Sequence, residues 1–205
     1  MKLYSIALFF LLLSASGATG QETAVRPTGW QTLELSRSRD SAIAVKLPLL
    51  SLPGKYRNRV LPFLVDNTHQ ECWPGILDQF LFSSCQQYCG VAYVFGYEIN
   101  RLRHRNGTYW ENGYPTHYTW NFMNHGYQGA GVNFLESFEV IRQQGQMTSN
   151  DYGIDTATGA TGWISGYDKY YRGMFNHLKQ VSAIMTNSTT GINTLRNYLF
   201  DRATK

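Results

Sequence analysis

The chain of 205 residues is poor in cysteine, proline and charge. It contains only three cysteines and six prolines, and Asp, Glu, Lys and Arg together make up 16% of it. Three cysteines cannot all pair within one chain, which excludes a disulfide-rich scaffold and leaves at least one thiol to be explained. The formal net charge is only +4, and Lys and Arg are scattered among acids. The sequence therefore gives no support for nucleic-acid binding.

One long apolar run is present, at the N-terminus. Lys2 precedes an apolar stretch from Ile6 to Leu13, and the small residues that follow end in Ala18-Thr19-Gly20. This pattern predicts a secretory signal over residues 1–20; an uncleaved N-terminal anchor is the alternative. The stretch is too short to span a bilayer as a helix. We expect an exported protein, periplasmic or extracellular, with no stable membrane insertion after signal removal.

The rest of the chain divides into a lead-in, residues 21–59, and one domain, residues 60–205. Apolar and polar residues alternate from Val60 to Val65, which predicts a short edge strand. Helical spacing predicts a long helix over 84–103 with Glu98, Arg101 and Arg105 on its polar face, and a second helix over 133–144 that stops at Gly145.

The C-terminal third has weaker patterns. Residues 166–173 are rich in Gly and Tyr and are interpreted as irregular, and a short helix is predicted around 174–184. A last helix is expected to begin with Thr189 or Thr190 as its cap and to turn Ile192, Leu195 and Leu199 inward.

Cys85 stands at the predicted start of the long helix. Helix N-terminal amides favour negative charge, and a thiolate rather than a thiol is the nucleophile. Attack on a carbonyl also needs donors for the developing oxyanion, commonly a side-chain amide and the backbone N–H of the nucleophile. Gln79, six residues upstream, is a candidate for the first donor.

The block from Gln79 to Cys85, followed at once by an apolar helix, resembles the papain family of cysteine peptidases. Leu61 to Asp66 resembles the first strand of the mature papain domain, and Tyr114 to Phe122 occupies the place of the short helix after the cysteine helix. Tyr93 to Leu102 and Gly166 to Tyr171 resemble stretches of bacterial members.

This resemblance implies an α+β papain-like fold, represented mainly by its helical lobe, and hydrolysis of protein or peptide substrates without a cofactor or metal. Cys85 and Gln79 would be catalytic, and Gly129 and Gly131, in a Gly-rich turn from Gly126 to Gly131, would bind substrate backbone. The family places its catalytic His and Asn roughly 130–150 residues after the nucleophile. They are expected beyond Lys205, so the domain is interpreted as incomplete at its C-terminus.

The sequence also departs from the family pattern. Gly usually precedes the Ser-Cys pair and Trp follows it, whereas this chain has Ser83-Ser84-Cys85-Gln86, and Phe82 replaces a structural cysteine. A catalytically inactive papain-like binding module is therefore the first alternative.

The remaining thiols and imidazoles leave further alternatives open. Cys89, one helical turn after Cys85, is interpreted as a buried core thiol, and Cys72 as a loop thiol that could pair with it. His69 and Cys72 with Cys85 and Cys89 have zinc-type spacing, which makes a zinc-stabilised binding domain a second alternative. His117, His125 and His177 are interpreted as structural, with His125 the nearest to the predicted substrate turn.

Overall fold

The computed structural model describes residues 47–52, 59–79, 82–127, 129, 131–153 and 166–203. The regular elements in these ranges are helices, and one isolated parallel bridge joins Leu49 to Ala183. The helices are α1 (Cys85–Gln87), α2 (Gly96–Arg103), α3 (Thr116–Asn121), α4 (Phe134–Gln144), α5 (Ser149–Tyr152), α6 (Tyr167–Met174) and α7 (Thr189–Ala203). A π-helical stretch, Tyr88–Phe95, and a 3-10 turn, Trp110–Asn112, complete the elements.

The predicted long helix is confirmed, and we call it the central helix. It runs without interruption through α1, the π-helical stretch and α2, and the N–H of Gly96 donates to the carbonyl of Val91, five residues back. Its apolar side packs in the main core. That core consists of Val91, Phe95, Ile99, Tyr114, Leu135, Phe138, Ile141 and Leu178. Burial of the turns from Val91 onward holds the N-terminal end of the central helix in place.

Helix α4 packs beside the central helix and begins and ends as predicted. The side chain of Asn133 accepts a 2.7 Å hydrogen bond from the N–H of Leu135, which caps the first turn. Gly145 ends the helix with φ 76°, a conformation that glycine adopts without a Cβ penalty. A Cβ there would also lie 2.2 Å from the carbonyl oxygen of Gly173.

The predicted outward position of Glu98 is wrong. Glu98 is only 2% exposed, because Tyr198 and Arg202 of α7 cover it. A carboxylate can be buried where charged and hydroxyl donors replace water. The partners lie about one hundred residues further along the chain, so no local pattern could show them.

Three other predictions of local structure are wrong. Residues 60–65 form no strand: Phe63 is fully exposed and no described segment pairs with this one. Residues 166–173, interpreted as irregular, contain α6 over Tyr167–Met174, and residues 175–184, where a short helix was expected, are irregular. In α7, Ile192 and Leu199 are exposed, and the buried residues are Tyr198 and Asp201.

The α+β fold class stays a prediction, since the described ranges contain no strand that tests it. The predicted signal, residues 1–20, and most of the lead-in, residues 21–59, lie outside the described residues. None of the helices in the described part of the chain is long and apolar enough to cross a membrane.

Candidate active site

Cys85 is the first residue of α1, as predicted, and its side chain is partly exposed. Ser84 holds the N-cap position, but its side chain makes no capping hydrogen bond, and its buried Oγ has no hydrogen-bond partner within the described ranges. The first amides of a helix have no acceptor within the helix. The N–H of Gln87 donates to the carbonyl of Ser84 at 2.9 Å, and the N–H of Cys85 has no acceptor within the described ranges. The Cys85 N–H is therefore a donor left for negative charge that develops beside this residue.

Gln79 belongs to the turn that leads into α1. Its Nε2 donates to the carbonyl of Phe82 at 3.2 Å, and the N–H of Phe82 donates back to the carbonyl of Gln79 at 3.4 Å. The two bonds hold the Gln79 amide beside the residue three positions before Cys85. A primary amide carries two N–H groups, so one N–H of Gln79 remains available for an oxyanion.

The C-terminal end of the Gly-rich turn is attached to the first turn of the central helix. Gln87 Nε2, in α1, donates to the carbonyl of Val132 at 3.1 Å, which places the end of the turn beside the helix that carries Cys85. Gly129 is exposed and Gly131 is partly exposed. A Cβ at Gly129 would lie 2.7 Å from the ring of Tyr127, so this position has no room for a side chain while that ring stays in place.

Gln87 joins three segments around the candidate site, and the sequence analysis missed it. Its side chain is fully buried, and its Oε1 accepts hydrogen bonds from Thr119 Oγ1 of α3 at 3.0 Å and from Ser137 Oγ of α4. With the bond to Val132, one amide connects α3, α4 and the Gly-rich turn to α1. A polar residue at an inward position of an apolar helix was the available signal, because a buried amide needs partners from other segments.

The other two cysteines differ from their predicted environments. Cys89 is exposed rather than buried in the core, because the apolar side of the helix faces away from it. Partial desolvation, and secondarily the Cys85 thiol one turn away, raise the pKa of the Cys89 thiol. Cys72 is buried, and desolvation raises the pKa of its thiol as well. All three thiols are free, so the suggested Cys72–Cys89 disulfide is not formed.

The imidazoles are spread over the described chain. His117, in α3, is buried, with its ring centroid 4.9 Å from that of Phe82 and 5.6 Å from that of Trp120. His125 is exposed with φ 51°, and His177 Nδ1 lies 2.8 Å from the carbonyl oxygen of Met174. Of the three, His117 is the one whose ring packs on Phe82, in the segment leading to Cys85.

The zinc-type spacing does not become a metal centre in the described ranges. No three His, Cys, Asp or Glu side chains gather there in a way that could hold a metal ion. His69 Nε2 lies 3.4 Å from Asp66 Oδ2 instead. The zinc alternative therefore has no assembled site among these residues.

Comparison with family models, with curated proteins and with solved structures finds no match for this chain.

Proposed function

We propose that the protein is an exported papain-like cysteine peptidase that hydrolyses peptide bonds through a thioester acyl-enzyme. The observation that carries the proposal is the position of Cys85, a partly exposed thiol on the first residue of a helix whose next turns are buried in the main core. Such a thiol is held in place by the fold and lies at a helix N-terminus, where backbone amides favour the thiolate.

The chemistry begins with attack of the Cys85 thiolate on the carbonyl carbon of the scissile bond. The general base has taken the proton of the Cys85 thiol. The tetrahedral intermediate collapses, the C–N bond breaks, and the amine leaves with that proton, which gives a thioester on Cys85. Water then attacks the thioester, and the carboxylic acid and the thiol are released. The remaining N–H of Gln79 and the N–H of Cys85 would stabilise the oxyanion in both halves of the reaction.

Substrate backbone would lie along the Gly-rich turn, at Gly129 and Gly131. An extended peptide gains affinity from main-chain hydrogen bonds and specificity from side-chain pockets. The bond between Gln87 and Val132 supports this arrangement, because it attaches the turn to the helix that carries the nucleophile.

The general base is not assigned to His117, His125 or His177. The papain resemblance implies a His base and an amide that orients it, and Cys and His act as a unit in this chemistry. The tests below use the protein as its host produces it.

Hydrolysis of a fluorogenic peptide library by that protein tests the proposal. Cys85→Ala should abolish hydrolysis, whereas Cys89→Ala, which removes an exposed thiol one turn away, should leave it. Gln79→Ala should lower kcat by about 10²–10³ with little change in KM, as expected for loss of one oxyanion donor. Hydrolysis that survives Cys85→Ala would contradict the proposal, and a folded protein without hydrolysis would favour the inactive binding module.

A further inference from the structure

A second site lies at the opposite end of the central helix. An open cleft of ≈ 560 Å³ is lined by residues from α2, α5, α6 and the adjoining loops, including Arg103, Arg105, Glu111, Asn150, Arg172 and Phe175. Its volume falls within the range of about 300–1,000 Å³ that small-molecule sites occupy. Arg103 is eighteen residues from Cys85 along the central helix, or about 27 Å at about 1.5 Å per residue. The cleft is therefore separate from the candidate active site.

The two arginines Arg103 and Arg172 are already hydrogen-bonded to protein groups. The guanidinium of Arg172 makes a two-pronged contact with Asp151, with bonds of 2.5 to 3.2 Å, and donates to Asp168 at 2.9 Å. Arg103 donates to the side chain of Asn176 at 2.5 Å and to the carbonyl of Phe175 at 2.9 Å. Arg103 keeps its positive charge because both of its acceptors are neutral, whereas Arg172 faces two carboxylates. The two arginines and two carboxylates together carry no net charge, so they offer no excess of positive charge to phosphate or sulfate.

Other polar groups of the cleft are left for a ligand. The side chains of Arg105, Glu111 and Asn150 are exposed and make no hydrogen bond or ion pair with any residue in the described ranges. One cation, one anion and one neutral amide offer both donors and acceptors, and their charges balance. A ligand that matches them is uncharged and carries hydroxyl groups.

An exposed aromatic row runs along α6 into the same cleft. Tyr167 and Tyr171, four residues apart, stack with ring centroids 6.2 Å apart and planes 19° apart. Tyr171 meets Phe175 edge to face at 5.3 Å. The three residues are 83%, 50% and 49% exposed, in that order. A continuous exposed aromatic surface on a soluble protein marks a binding site, and Phe175 connects this surface to the polar groups of the cleft.

We propose that the cleft binds a neutral oligosaccharide. A pyranose ring has an apolar C–H face, which would pack on the ring of Phe175, and a rim of hydroxyl groups, which would bond to Glu111, Arg105 and Asn150. The row formed by Tyr171 and Tyr167 would extend the contact to further sugar units. The balanced charge distinguishes this ligand from an acidic glycan or a nucleic acid, which would need an excess of positive charge. The proposal does not rest on the peptidase function.

A glycan array with neutral, uronic acid and sulfated oligosaccharides tests the proposal, followed by NMR titration of the best neutral binder. We expect binding to neutral glycans that persists at high salt, because no net charge is involved. Phe175→Ala and Glu111→Gln should each weaken it about tenfold, the effect of losing about 1.4 kcal/mol of contact. Asn150→Ala is a milder substitution at an exposed position, and it should also weaken binding. Circular dichroism checks that this variant is folded.

Two controls separate the cleft from the rest of the molecule. Tyr127→Ala removes an exposed aromatic ring that does not line the cleft, and should leave the affinity unchanged. Cys85→Ala should also bind the glycan normally, whether or not the peptidase proposal holds. Absence of binding to every neutral glycan, binding only to acidic glycans with steep salt dependence, or affinity unaffected by the cleft substitutions would each overturn the proposal.

Discussion

Arg202 donates from Nε to the carboxylate of Glu98 at 3.0 Å, although the two residues are 104 positions apart. Glu98 also accepts from the hydroxyl of Tyr198 at 2.6 Å and from Arg101 at 3.3 Å, and its side chain is almost completely enclosed. Both guanidinium groups are mostly buried. The network therefore attaches α7 to the central helix through buried charges, each of which needs its partner to offset the cost of losing water.

Replacing Glu98 should be costly for this reason. Glu98→Gln keeps the shape but leaves the mostly buried Arg101 without an ion-pair partner and Arg202 with Asp201 alone, and we expect a loss of about 3–5 kcal/mol in the free energy of unfolding. Urea denaturation followed by circular dichroism measures it. Glu139→Gln is the matched control, because Glu139 forms the same i,i+3 pair with Arg142 on the exposed face of α4. That variant should lose far less, and an equal loss in both variants would contradict a special role for burial.

Gln87→Leu tests the connection between the Gly-rich turn and the central helix. The hydroxyls of Thr119 and Ser137 have second acceptors in the carbonyls of Thr116 and Asn133, but the substitution removes the hydrogen bond to the carbonyl of Val132. We expect a loss of about 1–3 kcal/mol in the free energy of unfolding, typical of a buried polar group left without a partner. Chemical denaturation checks this, with Gln143→Leu on the exposed side of α4 as the control. A neutral Gln87→Leu variant would contradict the assigned role.

Gly107 is needed because the chain passes too close for a side chain. A Cβ there would lie 2.3 Å from the carbonyl oxygen of Cys72 and 2.7 Å from the carbonyl carbon of Trp73, and backbone atoms cannot move aside easily. Gly107→Ala should lower the free energy of unfolding by about 1–3 kcal/mol, as other overpacked sites do. Gly75→Ala, where nothing lies within 4 Å of the added Cβ, should have little effect. Thermal unfolding of both variants measures the difference. Equal behaviour of the two variants would show that the close approach is not maintained.

The buried tyrosines predict a loss of stability at alkaline pH. Burial, followed by the neighbouring Tyr170 and Tyr152, raises the pKa of Tyr118 to about 12, against about 10 in an unfolded chain. The folded state therefore holds this proton more tightly, so the contribution to stability is complete below pH 10 and declines as the pH rises from about 10 to about 12. Tyr118→Phe should make this decline in Tm shallower, and Tyr167→Phe, at an exposed position, should not. An unchanged slope in Tyr118→Phe would contradict the assignment.

The elements that were predicted correctly are determined by residues close to them along the chain. The predicted bounds of helix α4 agree with the structure within one residue. Its cap Asn133 and its stop Gly145 directly flank the helix, so both ends depend on local sequence. The start of the central helix at Cys85 was also predicted, because an apolar repeat follows it directly. The predictions failed where partners are distant: Glu98 depends on Arg202, and the predicted strand over 60–65 has no partner among the described residues.

The candidate site shows the same division. The position of Cys85 at a helix start and the proximity of Gln79 to the preceding turn followed from short spacings along the chain. The role of Gln87 did not, because its bonds to Thr119, Val132 and Ser137 span 32, 45 and 50 residues. The exposure of Cys89 was missed because the direction of a helical face depends on what packs against it.

Reaction of the native protein with a substrate-like epoxide inhibitor of papain-type enzymes, with the adduct located by mass spectrometry, tests the central claim most directly. The account predicts selective, stoichiometric modification of Cys85, none in Cys85→Ala, and little at the more exposed Cys89, whose raised pKa disfavours the thiolate. Cys89→Ala should label as the parent protein does. Labelling of Cys89 in preference to Cys85, or no labelling of folded protein, would contradict a working cysteine nucleophile at this helix start.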